Sequence, residues 1–335
     1  MSGRVTSHDV AQRAGVSQSA VSRVFTPGAS VSDKTAQKVR AAARDLGYRP
    51  NVLARSLITG KSRIIGLVVA YLDNAFYPQT LEMLSTALQD QGYHVLVFMA
   101  SQTAGNIDQV LEEILDYQVD GLILASVALS SDLAARTRAS GLPVVLFNRS
   151  QDDPSLSAVT SDNYAGGKAL AAHLLACGYR RIGHIAGWEG ASTQRDREAG
   201  FREGLAAQGV TLSHRALGQY QRETAMEATR QMFAGADRPE AVFVGNDHMA
   251  LGALDVLRGE LGLDVPGDVG VVGFDDVPQA GWLAYRLTTV RQRARAMVNE
   301  TVRILTQAID GDGTAPVRTA VPAPLVVRAT TRTPP

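Results

Sequence analysis

A single cysteine, Cys177, stands in the 335 residues. That excludes an internal disulfide framework and fits a reducing compartment. On a helix leading to Gly178, Cys177 reads as a small buried apolar residue rather than a catalytic thiol. Aromatic side chains are scarce, and no uncharged apolar run approaches the roughly 18 residues of a membrane span. The N-terminus lacks the apolar stretch of an export signal, so a soluble, cytoplasmic protein with no membrane partner is expected. The six histidines, at 8, 94, 173, 184, 214 and 248, show no helical metal spacing and no accompanying cysteines, so no metal and no cofactor is expected. Gly166-Gly167-Lys168 hints at a phosphate loop, but Asp162 replaces its first glycine and Ala169 its hydroxyl. Asp275 and Asp276 are neighbours, and neighbours on a strand end point apart. No catalytic residues can be assigned, and the chain is not expected to be an enzyme.

Net charge is also lacking, but only in the sum. Residues 1–63 hold 11 Lys or Arg against 3 Asp or Glu, while the remainder holds 22 against 30. A head of +8 thus precedes a body of −8, and such asymmetry points to a polyanion partner for the head. Its binding should be strongly salt-dependent, because Lys and Arg on phosphates release counterions. The chain is long for one compact core, so two or three units are expected.

Residues 6–24 supply what the composition demands. Thr6 is placed to cap a first helix, with Asp9 completing a capping-box-like pair. Val10, Ala11 and Ala14 form its apolar stripe, and Gly15 turns the chain. Ser17 can cap a second helix in which Ala20, Val21 and Val24 face inward while Gln18, Ser19, Ser22 and Arg23 face out. Hydrogen-bonding side chains on the first turns of such a helix suit base edges and phosphates in the major groove. An ordinary capped hairpin with a polar surface is the competing reading. Ser32 can cap a third helix running to Leu46, with Ala36, Val39, Ala43 and Leu46 on one stripe and Gly47 at its end. Pro50 stops what precedes, and Asn51 can cap a short helix that is marginal by itself.

From Ile64 onward, apolar runs alternate with amphipathic helices: 64–69, 94–99, 121–124, 144–147, 182–186, 242–244 and 269–273. That alternation means parallel sheets with helices on both faces, and ligands bind beyond the carboxyl ends of such strands.

The N-terminal motif, the Ala54-Arg55-Ser56-Leu57 run, Asp162-Asn163, Gly245-Asn246-Asp247, Gly273-Phe274-Asp275-Asp276 and Leu287-Thr288-Thr289-Val290-Arg291-Gln292 together resemble the LacI/GalR family of bacterial transcription regulators. The resemblance runs the length of the chain in order. It implies a small all-α helix-turn-helix headpiece plus an α/β periplasmic-binding-protein-like core of two parallel-sheet subdomains. The divisions implied are a headpiece at 1–50, a hinge helix and linker at 51–63 and an effector-binding core at 64–335. Within the core, the N-subdomain takes about 64–160 and 292–320, and the C-subdomain about 161–291 and 321–335. Carried over residue by residue, Gln18 and Ser19 read bases, Ala20 meets a thymine methyl and Arg23 pairs with guanine. Ser7, Ser17, Ser22, Ser32 and Thr35 fall where phosphates are held, and His8, Asn51 and Ala54 complete the DNA-facing set. Leu57 matches a wedge leucine that enters the minor groove and kinks the duplex.

The same resemblance places Phe76, Tyr77, Asn148, Arg149, Arg197, Tyr220, Asn246, Asp275 and Trp282 around an effector. An Arg fork with amide and carboxylate groups suits adjacent hydroxyls of a sugar or sugar derivative. Members that respond to purines carry arginine where Ala191 stands here, which disfavours a purine corepressor. Tyr285-Arg286, where the family often has prolines, sets the loop around Trp282 apart. Without a C-terminal leucine heptad there is no tetramer signal. The implied protein is a homodimeric repressor on pseudo-palindromic double-stranded operator DNA, controlled by a small-molecule effector, a carbohydrate before other classes. Two alternatives stay open: an effector that tightens DNA binding as a corepressor, and a sugar-binding or adaptor protein without regulated DNA binding.

Overall fold

The computed structural model describes residues 5–26, 29–49, 61–100, 104–127, 135–136, 139–152, 154–311 and 315–334. The chain divides into two compact units, Met1–Ser62 and Arg63–Pro335.

The first unit holds α1 (Ser7–Ala14), α2 (Gln18–Val24) and α3 (Asp33–Asp45). Thr6 accepts the Asp9 amide while the Asp9 carboxylate accepts the Thr6 amide at 2.8 Å, a reciprocal cap on α1. Gly15 ends α1 in the left-handed region at φ 66°, where a Cβ would be penalised. Ser17 and Ser32 cap α2 and α3 through the amides of Ala20 and Thr35. Val10, Ala11, Val21, Val39, Ala42 and Ala43 form one small buried cluster. The periodic apolar positions therefore meet at a common core, and the polar faces stay outside it.

The second unit contains two six-stranded sheets. The first uses β1 (Ile64–Val69), β2 (His94–Met99), β3 (Gly121–Ala125), β4 (Val144–Phe147), β5 (Ser157–Ser161) and β11 (Arg318–Val321). The second uses β6 (Ile182–Ala186), β7 (Leu212–Leu217), β8 (Ala241–Val244), β9 (Gly270–Asp275), β10 (Thr288–Arg291) and β12 (Leu325–Val326). Their orders, β2-β1-β3-β4-β5-β11 and β7-β6-β8-β9-β10-β12, are the same winding made twice. All neighbours run parallel except β10 and β12. Central strands covered on both faces are mostly apolar, and β3, β4, β6, β8 and β9 are buried at every residue, His184 in β6 and Asp275 at the end of β9 included.

Among the described residues, the α-helices of this unit are α4 (Phe76–Asp90), α5 (Ala104–Asp116), α6 (Asn163–Ala176), α7 (Ser192–Ala206), α8 (Arg222–Phe233), α9 (Asp247–Asp255) and α10 (Ala294–Asp310). The chain passes between the sheets three times: from β5 into α6, from β10 into α10, which packs on β4 and β5, and from β11 into β12. Glycines bring α6 and α7 close together. A Cβ on Gly167 would lie 2.2 Å from the Arg197 carbonyl oxygen, and one on Gly200 2.0 Å from that of Tyr164. Gly167 thus packs on helix α7, while Gly166 packs on Phe274 and Val290 of the second sheet.

Candidate functional site

In the first unit, His8, Ser17, Gln18, Ser19, Ser22, Arg23 and Ser32 are exposed, and Ser7, Ala20 and Thr35 are half-buried. Gln18 Nε2 donates to Ser7 Oγ at 2.8 Å, joining the start of α2 to α1. Ser17 and Ser19 share a hydroxyl bond of 3.0 Å, as do Ser32 and Thr35 at 2.9 Å. Arg23 Nε donates to the Ser19 carbonyl at 3.4 Å, which occupies one of five guanidinium N–H groups. The face is a continuous surface of donors and acceptors on a helix of groove-fitting size. Asn51, Ala54 and Leu57, with the hinge helix as a whole, lie outside the described residues.

In the second unit, polar side chains gather at the carboxyl ends of both sheets. Asn74, Phe76 and Tyr77 follow β1, Ser126 follows β3, and Asn148 and Arg149 follow β4. From the second sheet, Trp188 follows β6, Tyr220 follows β7, Asn246 follows β8, Asp275 ends β9 and Gln292 follows β10. The crevice beyond the carboxyl ends is where doubly wound sheets take ligands.

Asp275 is the hub. Its carboxylate accepts from Gln292 Nε2 at 2.7 Å, Asn74 Nδ2 at 3.1 Å and Arg197 at 3.2 Å. Arg197 also donates to Asn163 Oδ1 and to the Gly245 carbonyl, both at 2.8 Å. Its guanidinium lies 3.7 Å from the centre of the Phe274 ring. The Asn74 bond joins the two subdomains, as do Ser150 N to Ser192 Oγ at 2.9 Å and the Asp152–Arg195 pair. On the first-sheet side, Asn148 Nδ2 donates to the Tyr77 hydroxyl and to Ser126 Oγ, and those two hydroxyls bond to each other. Tyr220 bonds Thr193 at 3.1 Å. Asn246 instead spends its Oδ1 on the Met249 amide, capping α9. Phe76, Asp275 and Gln292 also line a cavity of about 530 Å³ that runs out along Gln79, Met83, Arg293 and Asn299.

The backbone is bent to make this arrangement. Ser126, Asn148, Tyr220, Asp275 and Asp276 all have positive φ, a conformation costing of order 1–3 kcal/mol each that collects at ligand sites. Burial pushes the Asp275 carboxyl upward, opposed by Arg197, Asn74 and Gln292. Asp247, behind Gly273 and bonded to Thr289 Oγ1 and the Val277 amide, is driven up to about 7 by its burial and by Asp275.

Trp282 is not brought together with the others: it ends the 3-10 turn Pro278–Gly281 with its side chain 55% exposed. The tryptophan in the cleft is Trp188, whose ring lies 5.4 Å from the Arg149 guanidinium. The sequence singled out neither Trp188 nor Asn74, and Gln292 only as the end of the Leu287–Gln292 run, although each follows a strand, the position that defines such a cleft. Among the described residues, no His, Cys, Asp or Glu group is placed to hold a metal ion. No helix among them is long and apolar enough to cross a membrane.

Residues 6–51 match the model of bacterial regulatory proteins of the lacI family, and residues 62–329 that of periplasmic binding proteins and the sugar-binding domain of the LacI family. The transcriptional regulator CelR of Thermobifida fusca is 33% identical over 335 residues, covering 97% of this chain and 98% of its own. The repressor PurR of Photobacterium profundum is 31% identical, with 91% and 92% covered. Among solved structures, the Lac repressor dimer bound to operator and the anti-inducer ONPF superposes with a TM-score of 0.90 at 29% identity, covering 99% of this chain and 100% of that one. With both family models matched in order along one chain, the protein belongs to the LacI family of DNA-binding bacterial transcription regulators.

Proposed function

We propose that the chain is a cytoplasmic homodimeric repressor that binds a two-fold operator and is released or tightened by a carbohydrate-class effector held in the cleft. The DNA-reading side chains are Gln18, Ser19 and Arg23, with Ser7, His8, Ser17, Ala20, Ser22, Ser32, Thr35 and the hinge residues Asn51, Ala54 and Leu57 supporting them. No catalytic step is assigned to the core. The effector residues are Phe76, Tyr77, Asn148, Arg149, Arg197, Tyr220, Asn246 and Asp275, extended to Asn74, Trp188 and Gln292.

One observation carries this reading: Asp275 is bonded by groups from both subdomains, Asn74 on one side and Arg197 on the other, with Gln292 joining them at the crossing after β10. A polyhydroxyl ligand that takes Asp275 and Arg197 competes for the bond to Asn74. Ligand binding thereby acts on the angle between subdomains through its differential affinity for two arrangements. Similarity to known structures fits the class, since one solved relative is a CelR–cellobiose complex of TM-score 0.74.

The reading is tested by melting the full chain against pentoses, hexoses, disaccharides, sugar acids, sugar phosphates and purines, and by selecting DNA from a random pool. A ligand confined to the native state raises the melting temperature. A stabilising carbohydrate together with a palindromic selected sequence is expected. Enrichment of no sequence over random DNA would overturn the regulator reading, and stabilisation by purines alone would overturn the effector class.

A further inference from the structure

Arg149 is a buried cation without a counter-charge in salt-bridge contact among the described residues. Its side chain belongs to a residue only 6% exposed, and its Nε has no hydrogen-bond partner among the described residues. Its guanidinium sits between the rings of Trp188, at 5.4 Å, and Tyr220, at 5.8 Å. The Oδ1 of the preceding residue, Asn148, is also buried and unbonded.

Four carboxylates of this end of the core have other partners. Asp275 is held by Arg197, Asn74 and Gln292, while Asp276 is held at 2.6 Å by both Arg291 and Arg328. Asp247 is bonded to Thr289 and Val277, and Asp152 to Arg195. An unpaired charge in a dry site is costly, and is kept where something else neutralises it. A second feature stands beside it. Helix α7 begins without a side-chain cap, so its first amides and its dipole favour an anion. Its first two residues bond neighbours of Arg149: Ser192 accepts the Ser150 amide, and Thr193 bonds the hydroxyl of Tyr220.

We infer that the effector is anionic, a sugar derivative bearing a carboxylate or a phosphate that is received by Arg149 and the N-terminus of α7, with its ring against Trp188 and Tyr220. The inference rests on the effector reading above and narrows its ligand class. A planar guanidinium can take either oxyanion through two parallel N–H bonds.

The test titrates the full chain with matched trios, a hexose, its uronic acid and its 6-phosphate, in the gluco, galacto and manno series. Binding of one acid or one phosphate at least about tenfold tighter than its neutral parent is expected, and which member binds names the oxyanion. Arg149→Met should erase that preference. A neutral parent binding as tightly as its charged partners, or a preference that survives Arg149→Met, overturns the inference while leaving the effector reading intact. Failure of the regulator reading shows differently, as an absence of any selected DNA sequence. A second readout decides even where no trio member binds. Removing an uncompensated buried charge relieves the free protein, so Arg149→Met should melt above the parent, whereas equal or lower melting would make the guanidinium a structural group and sink the inference.

Discussion

Gly200→Ala sets a methyl group against the Tyr164 carbonyl oxygen. The added Cβ would stand 2.0 Å from that oxygen, where ordinary contact begins at 3.4 Å. The obstacle is backbone, so no rotamer change relieves it, and α6 and α7 must part by roughly 1 Å or more. Overpacking of this kind costs typically 1–3 kcal/mol, and a backbone clash belongs at the upper end, about 3 kcal/mol. Alanine in a helix returns about 1 kcal/mol over glycine. The net loss is about 2 kcal/mol, or roughly 4–8 °C in the melting temperature of a core this size. Arg197 lies one turn earlier on α7, with its carbonyl against Gly167. The same displacement therefore pulls its guanidinium from Asp275 and the Gly245 carbonyl, and ligand affinity should fall too. Gly259→Ala is the control, because nothing lies within 4 Å of its added Cβ. It should leave melting unchanged or raise it. Calorimetry of both variants tests the reasoning, and a Gly200→Ala core melting within about 1 °C of the parent would refute it.

Three further outcomes are expected. Thr6→Ala removes the reciprocal cap on α1 and should cost the headpiece about 1 kcal/mol, seen as earlier loss of its helical circular dichroism on heating. His184 is held down at about 4 by burial, so the unfolded chain takes up a proton below 6.5 that the folded chain refuses. Core stability from this group is present above 6.5 and is lost as pH falls toward 4, a slope that His184→Asn should flatten in urea titrations. Asp247 behaves oppositely: its raised value of about 7 means stability present below 3.8 and lost as pH rises to 7. Asp247→Asn, which removes that loss, should raise melting at about pH 8 and change little near pH 4.

Much of the architecture was legible. The caps Thr6, Ser17 and Ser32 and the turn at Gly15 follow from side-chain chemistry within three residues of each helix start, which local sequence carries in full. Fully buried strands such as Gly121–Ala125 and Ile182–Ala186 announce themselves as apolar runs, because both faces meet helices. Strands β5, β7, β10, β11 and β12 did not, being short or half polar, with Ser157 and Thr288–Thr289 owing their place to tertiary pairing. The cleft was legible through Arg197, Tyr220 and Asp275. Asn74 and Gln292 were not, since their role depends on converging on Asp275 from positions 201 and 17 residues away. Trp282 and Trp188 carry the same side chain, and only the fold distinguishes the one near Arg149 from the one in solvent.

The central claim is that occupancy of the cleft controls operator affinity. The direct measurement is fluorescence anisotropy of the full chain on its selected DNA, with and without a saturating ligand found in the melting screen. Coupling between two such sites is typically 1–3 kcal/mol, roughly a 5- to 150-fold change in affinity, and a change in that range that disappears in Arg197→Met is expected. Unaltered operator affinity at saturating ligand would contradict the account.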